Sequence, residues 1–214
     1  MRIAQFFILF CLIAACQSIP ESQTTPKPSE KTRSKDLVFM QDDLPILKQN
    51  SALPESEYKI LFDSCGISDG CFVLHNLKHN AYTYYNRSTA DIAVLPASTF
   101  KIFNSLVALE TGAIQDTNTV LKWDGVWREV KVWNQNHTMK TAFKCSAVWF
   151  YQELARRIGA KKMQKYLNKA HYGNGNISGE IDQFWLSGDL KISPMEQIMF
   201  LEKLYKEVGL PFSH

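Results

Sequence analysis

Two hydrophobic periods run through this chain, and a polar stretch sets them apart from a short apolar run at its start. From Ser98 onward, Phe103, Leu106, Val107 and Leu109 fall on one helical face, and Gly112 closes it. A second helix is predicted over 146–158, ending at Gly159, and a third over 161–170. Ser193-Pro194-Met195-Glu196 combines an N-cap serine, proline at the first helical position and glutamate three residues after the cap. Ile198, Leu201, Leu204 and Tyr205 then carry that helix to about Val208. Strand character appears in two places. Cys71 to His75 reads as one strand, 76–80 as a turn and Ala81 to Tyr85 as the return strand. A short helix is predicted around 55–62. Residues 113–140 are mixed, with Trp123-Asp124-Gly125 and Trp133-Asn134 as turn markers. Residues 172–188 read as loop by composition. There are no internal repeats.

The N-terminal run from Phe6 to Ala15 follows Arg2 and is too short to span a bilayer. It fits the apolar core of an export signal. Leu12-Ile13-Ala14-Ala15-Cys16 resembles a bacterial lipobox, which implies cleavage before Cys16 and lipidation of its thiol; an ordinary signal cut near Ala15 is the alternative. The expected organisation is a signal peptide over 1–16, a polar tether over 17–50 and a folded domain over 51–214. The tether is rich in Ser, Thr, Pro, Gln, Lys and Glu and cannot bury much apolar surface. Both alternatives place the mature protein outside the cytoplasm, in the periplasm and, with Cys16 lipidated, anchored to the membrane.

With 214 residues and 45% hydrophobic content, the chain can bury one good core. Its net charge of +3 is modest, and no basic stripe interleaved with aromatics stands out, so nucleic acid is not an expected partner. Cys65 and Cys71 flank Gly66-Ile67-Ser68-Asp69-Gly70, a turn-rich spacer that can bring them together as a small-loop disulfide. No second Cys or His pair stands at zinc spacing, so metal is the weaker reading. His75 and His79 fall across the hairpin and read as surface or edge residues. Cys145 lies among apolar residues and reads as a buried small hydrophobe.

The candidate chemistry lies in Pro96-Ala97-Ser98-Thr99-Phe100-Lys101. Ser98 and Lys101 are three apart and share a helical face. A serine hydroxyl needs a base within hydrogen-bond reach, and a lysine can be that base only if desolvation lowers its pKa. The spacing alone proves little, because Ser56-Glu57-Tyr58-Lys59 repeats it in a polar segment flanked by Glu55. A solvated lysine stays charged, so Ser56 and Lys59 are expected to be plain surface residues.

Further motifs follow Ser98 in order: Trp123-Asp124-Gly125, Trp133-Asn134, Ser146-Ala147-Val148, the stretch from Phe150 to Ala155, Tyr172-Gly173-Asn174 and Trp185-Leu186-Ser187-Gly188. Together they closely resemble the class D serine β-lactamases, the oxacillinase family, from about Cys65 to the end of the chain. The resemblance implies an α+β fold of the serine β-lactamase and penicillin-binding-protein type, with an antiparallel sheet flanked by helices and a helical subdomain. It implies hydrolysis of β-lactams, penicillins and oxacillin-type compounds among them, with no cofactor beyond carbon dioxide or bicarbonate.

The same resemblance implies the residue roles. Ser98 would attack the lactam carbonyl, and its backbone N–H would form half the oxyanion hole. Lys101 would be carboxylated and act as general base, with the Trp185 indole N–H as a donor to it. Ser146 would shuttle a proton to the leaving nitrogen. Val148 and Phe100 would keep the pocket dry, and Tyr172 would support the site. Read without the resemblance, Ser146 could cap the helix after it, Val148 and Trp185 could be core, and Tyr172-Gly173-Asn174 could be a turn.

The resemblance also implies a Lys-[Thr/Ser]-Gly strand, and no such tripeptide occurs after Trp185. A product that stopped at His214 is therefore expected to lack strands of the sheet, to fold poorly and to be inactive. Two other functions share the Ser/Lys pair: a penicillin-binding sensor that stays acylated, and a peptidoglycan transpeptidase or carboxypeptidase. The Trp185 segment and the apolar Phe100 favour the β-lactamase over the last of these.

Overall fold

The computed structural model describes residues 55–213. The expected signal segment, Cys16 and the 17–50 tether lie outside the described residues. The chain divides into two compact units, Met1–Arg87 and Ser88–His214.

In the first unit, helix α1 (Glu55–Ser64) precedes strands β1 (Phe72–Asn76) and β2 (Ala81–Tyr85). The strands pair antiparallel, from Phe72 opposite Tyr85 to Asn76 opposite Ala81. A two-stranded ribbon is marginal alone and needs helix packing. Helix α1 supplies it through aromatic contacts: Tyr58 stacks on Phe72 with ring centres 5.8 Å apart, and Phe62 meets Tyr85 at 4.6 Å. His75 stacks on Tyr82 at 3.8 Å and is half-buried, as an edge residue would be.

The Cys65–Cys71 disulfide is not formed in the structure, where both side chains are thiols. The backbone closes this turn instead. The N–H groups of Cys65, Gly66 and Ile67 donate to carbonyls of Leu61, Phe62 and Asp63 at the end of α1. Gly66 takes the left-handed conformation, φ +70°, that such a helix end favours.

A helical turn, α2 (Arg87–Ala90), leads into the second unit. Its elements are α3 (Phe100–Glu110), α4 (Met139–Cys145), α5 (Val148–Ile158), α6 (Ala160–Ala170) and α7 (Pro194–Lys206). Helix α3 packs on α5, and the core between and around them holds Phe103, Val107, Phe150, Leu154, Met163, Leu167 and Leu190, all buried. Helix α7 starts as its sequence requires. The Ser193 side chain accepts from the Glu196 N–H, and the Glu196 carboxylate accepts from the Ser193 N–H at 2.7 Å. A two-way backbone bridge joins Val94 to Ile192 and ties the approach to Ser98 to the approach to α7.

Two expectations in this unit need correction. Residues 146–158 are not one helix opened by Ser146. Helix α4 ends at Cys145, Ser146 sits in the left-handed region at φ 56°, and α5 begins at Val148 after Ala147 as its N-cap. Ser146 therefore ends one helix rather than capping the next. Cys145 is half-buried rather than fully buried, because it lies in this break between helices.

Candidate active site

Ser98 sits on a single 3-10 turn, Ala97–Thr99, that runs directly into α3. Entering the turn requires Ala97 at φ 44°, a strained conformation for a residue with a Cβ. Its N–H then reaches the Trp185 carbonyl at 3.0 Å. The Thr99 hydroxyl closes the turn on the Pro96 carbonyl at 2.6 Å. The result is an exposed Ser98 above a buried Phe100 and a buried Lys101.

Lys101 is only 3% exposed, and its Nζ donates to Ser98 Oγ at 2.6 Å. Burial pulls its ammonium from the ordinary 10.5 down to about 8, with a smaller opposite effect from the Cys145 sulfur. A group with that pKa is neutral in about one molecule in ten at pH 7, far more often than an ordinary lysine, and a base must be neutral. Lys59, the spacing control, shows the contrast. It is exposed, pairs with Asp63 at 2.7 Å, and that partner raises its pKa. The same spacing thus gives two opposite electrostatic outcomes, decided by burial.

Ser146 completes a three-residue cluster, with its hydroxyl 3.3 Å from Ser98 Oγ. Its turn is held from outside. The Trp133 indole donates to the Cys145 carbonyl at 2.9 Å, and the Trp149 indole donates to the Trp133 carbonyl at 2.8 Å. His137, buried, bonds the Val132 carbonyl at 3.0 Å and Thr141 Oγ1 at 3.0 Å. These clamps fix the left-handed Ser146 where no glycine relieves it.

The other expected residues divide into two groups. Trp185 and Phe100 lie beneath the Ser98 turn, stacked on each other with ring centres 5.2 Å apart, and Phe184 meets Phe100 edge-on at 5.2 Å. Val148 is the first residue of α5, half-buried. Tyr172 stands deeper. It is buried against Phe103 at 4.7 Å and Phe200 at 5.2 Å, and its hydroxyl donates to Gln197 Oε1 at 2.8 Å. Burial holds that phenol well above its usual pKa. Tyr172 supports the core behind the site rather than lining its mouth.

The roles of Gln197, Tyr151 and the Trp133 clamp are not legible in the sequence, although Trp133 and Tyr151 fall inside the motifs that follow Ser98. Gln197 accepts from Thr99 Oγ1 at 3.4 Å as well as from Tyr172. Tyr151 presents its ring to Lys101 with Nζ 5.8 Å from the ring centre. Tyr151 falls three residues after Val148, and that helical spacing was the available signal.

This geometry can perform nucleophilic acyl transfer: an exposed hydroxyl, with a desolvated amine within hydrogen-bond distance of it and a second hydroxyl on it as well. Residues 46–210 match the family model described as the penicillin binding protein transpeptidase domain. A probable β-lactamase, YbxI of Bacillus subtilis (strain 168), is 50% identical over 145 residues, covering 68% of this chain and 54% of that protein. The regulatory protein BlaR1 of Bacillus licheniformis is 41% identical over 149 residues, covering 70% of this chain and 24% of that protein. Among solved structures, a class D β-lactamase from Bacillus subtilis matches with a TM-score of 0.68 at 46% identity, over 75% of this chain and 67% of that one. The chain spans about half the length of the curated β-lactamases it matches. With the Ser98–Lys101–Ser146 cluster in place and these similarities at 46–50% identity, the chain belongs to the penicillin-binding-protein transpeptidase family and, within it, to the class D serine β-lactamases.

Proposed function

We propose that this protein hydrolyses β-lactams through an acyl-enzyme on Ser98. The observation that carries the proposal is the 2.6 Å contact between the exposed Ser98 hydroxyl and the buried Lys101 amine. A lysine whose pKa is pulled down to about 8 is available as a neutral amine. A neutral amine also adds carbon dioxide: its lone pair bonds the carbon, one C=O pair moves to oxygen and a proton leaves to solvent. The carbamate so formed supplies an anionic general base beside Ser98 Oγ.

Ser98 Oγ bonds the lactam carbonyl carbon as its proton passes to the base on Lys101. The ring C–N bond then breaks, and the Ser146 hydroxyl, 3.3 Å from Ser98 Oγ, delivers a proton to the departing nitrogen. The Ser98 backbone N–H supports the developing oxyanion. In deacylation the same base activates a water, which cleaves the ester and restores the Ser98 hydroxyl. Trp185, Phe100 and Val148 exclude bulk water from Lys101, and low dielectric strengthens each of these interactions.

The likeness to BlaR1 favours a second reading, in which Ser98 is acylated and the ester is not released. Turnover of a chromogenic cephalosporin separates the two, because the sensor gives one stoichiometric burst. Turnover that rises with added bicarbonate and is lost in Lys101→Ala supports the hydrolase. Steady turnover in that variant without bicarbonate overturns Lys101 as base. We further propose export to the periplasm, with Cys16 carrying a lipid anchor.

A further inference from the structure

Lys101 is bounded by more than Ser98. Tyr151, buried on α5, faces Lys101 with Nζ 5.8 Å from its ring centre. The residue is held to α3 at two points, one on its backbone and one on its ring. The Tyr151 backbone carbonyl accepts from Asn104 Nδ2 at 3.0 Å, and its phenol oxygen accepts from Ser105 Oγ at 3.3 Å. Asn104 and Ser105 stand three and four residues after Lys101, so they lie one turn further along the same face of α3. The helix that carries the lysine therefore also fixes the attitude of the ring against it.

A leucine would exclude water from this pocket as well as a tyrosine does. An aromatic wall differs from an aliphatic one in its quadrupole. The ring face is negative, attracts an ammonium and repels an anion. Carbon dioxide addition turns Lys101 from a cation or neutral amine into an anion, so the ring face acts directly on that change. Two polar groups also act on Nζ, the Ser98 hydroxyl from the 3-10 turn and the Cys145 sulfur from the end of α4.

We propose that Tyr151 is a positioning residue that sets how readily Lys101 takes up carbon dioxide, its ring face favouring the ammonium over the carbamate and the Asn104–Ser105 clasp keeping the face in place. Half-occupancy of the general base then needs more bicarbonate than it would beside an aliphatic wall. This inference rests on the carbamate reading of Lys101.

The test is titration of the full chain with 13C-bicarbonate, reading the lysine carbamate resonance by NMR, together with bicarbonate-dependent turnover. Tyr151→Leu is expected to reach half-maximal signal at about fivefold lower bicarbonate than the parent. Tyr151→Phe retains the ring and the backbone clasp and is expected to stay within about twofold of the parent. If Tyr151→Leu does not fold, 3,4,5-trifluorophenylalanine at position 151 weakens the ring face at nearly constant shape and is expected to shift the midpoint the same way. A parent protein with no carbamate resonance and no bicarbonate response overturns the reading of Lys101 itself. A carbamylated parent whose midpoint is unchanged or higher in the leucine or trifluorinated variant overturns the role of Tyr151 alone.

Discussion

Replacing Lys101 by methionine should abolish function and yet make the protein more stable. Met is close to Lys in length and carries no charge, so it fills the same buried slot. The folded protein holds the Lys101 ammonium at a pKa of about 8 against an ordinary 10.5. At pH 6, well below both values, that difference amounts to a penalty of about 3 kcal/mol on the folded state. Loss of the Lys101–Ser98 hydrogen bond offsets about 1 kcal/mol, leaving an expected gain of about 2 kcal/mol.

The sign of the pH dependence follows from the lowered pKa. Between about 8 and 10.5 the folded protein has shed a proton that the unfolded chain still holds, so raising the pH stabilises the parent. By pH 9.5 the penalty should have fallen by about 2 kcal/mol, and the two proteins should be nearly equal in stability. Urea denaturation followed by tryptophan fluorescence, in buffer purged of carbon dioxide so that no carbamate forms, measures this. A Lys101→Met protein that is less stable than the parent at pH 6, or a difference that does not change with pH, would refute the claim that burial desolvates this lysine.

Two further substitutions test the geometry around it. Ser146→Gly relieves a left-handed backbone at φ 56°, so stability should rise by about 1 kcal/mol. It also removes the hydroxyl 3.3 Å from Ser98 Oγ, and the acylation rate, measured by stopped flow, should fall by about a hundredfold. Gly173→Ala would place a Cβ 2.0 Å from the Lys191 carbonyl oxygen at a residue with φ +53°. A loss of about 3 kcal/mol is expected in thermal or urea unfolding, and a neutral result would contradict the close approach of Gly173 to the Lys191 carbonyl.

What the sequence revealed and what it hid divide along the range of the interactions. The β1–β2 hairpin and the Ser193–Glu196 capping box were readable because their signals lie within a few residues: alternation around a polar turn, and a cap with its partner three positions on. The opposite fates of Ser98–Lys101 and Ser56–Lys59 were also readable, since flanking charge and apolar bulk decide burial locally. The break at Ser146 was not readable. A serine at φ 56° is held by the Trp133 indole from twelve residues before Cys145 and by the Trp149 indole behind it, and no local propensity signals such clamps. The contacts of Tyr151 and Gln197 were hidden for the same reason. Each matters through a partner on another element: Lys101, Asn104 and Ser105 for Tyr151, and Thr99 and Tyr172 for Gln197. The Cys65–Cys71 spacing permitted a bridge, but hydrogen bonds at the end of α1 close that turn without one.

Formation of the covalent intermediate on Ser98 is read from the intact mass of the full chain after brief exposure to a penicillin and an acid quench. The expected result is a mass increase of one penicillin, located by proteolysis to the peptide that carries Ser98, and no increase in Ser98→Ala. An unmodified parent, or an adduct that persists in Ser98→Ala, would contradict it.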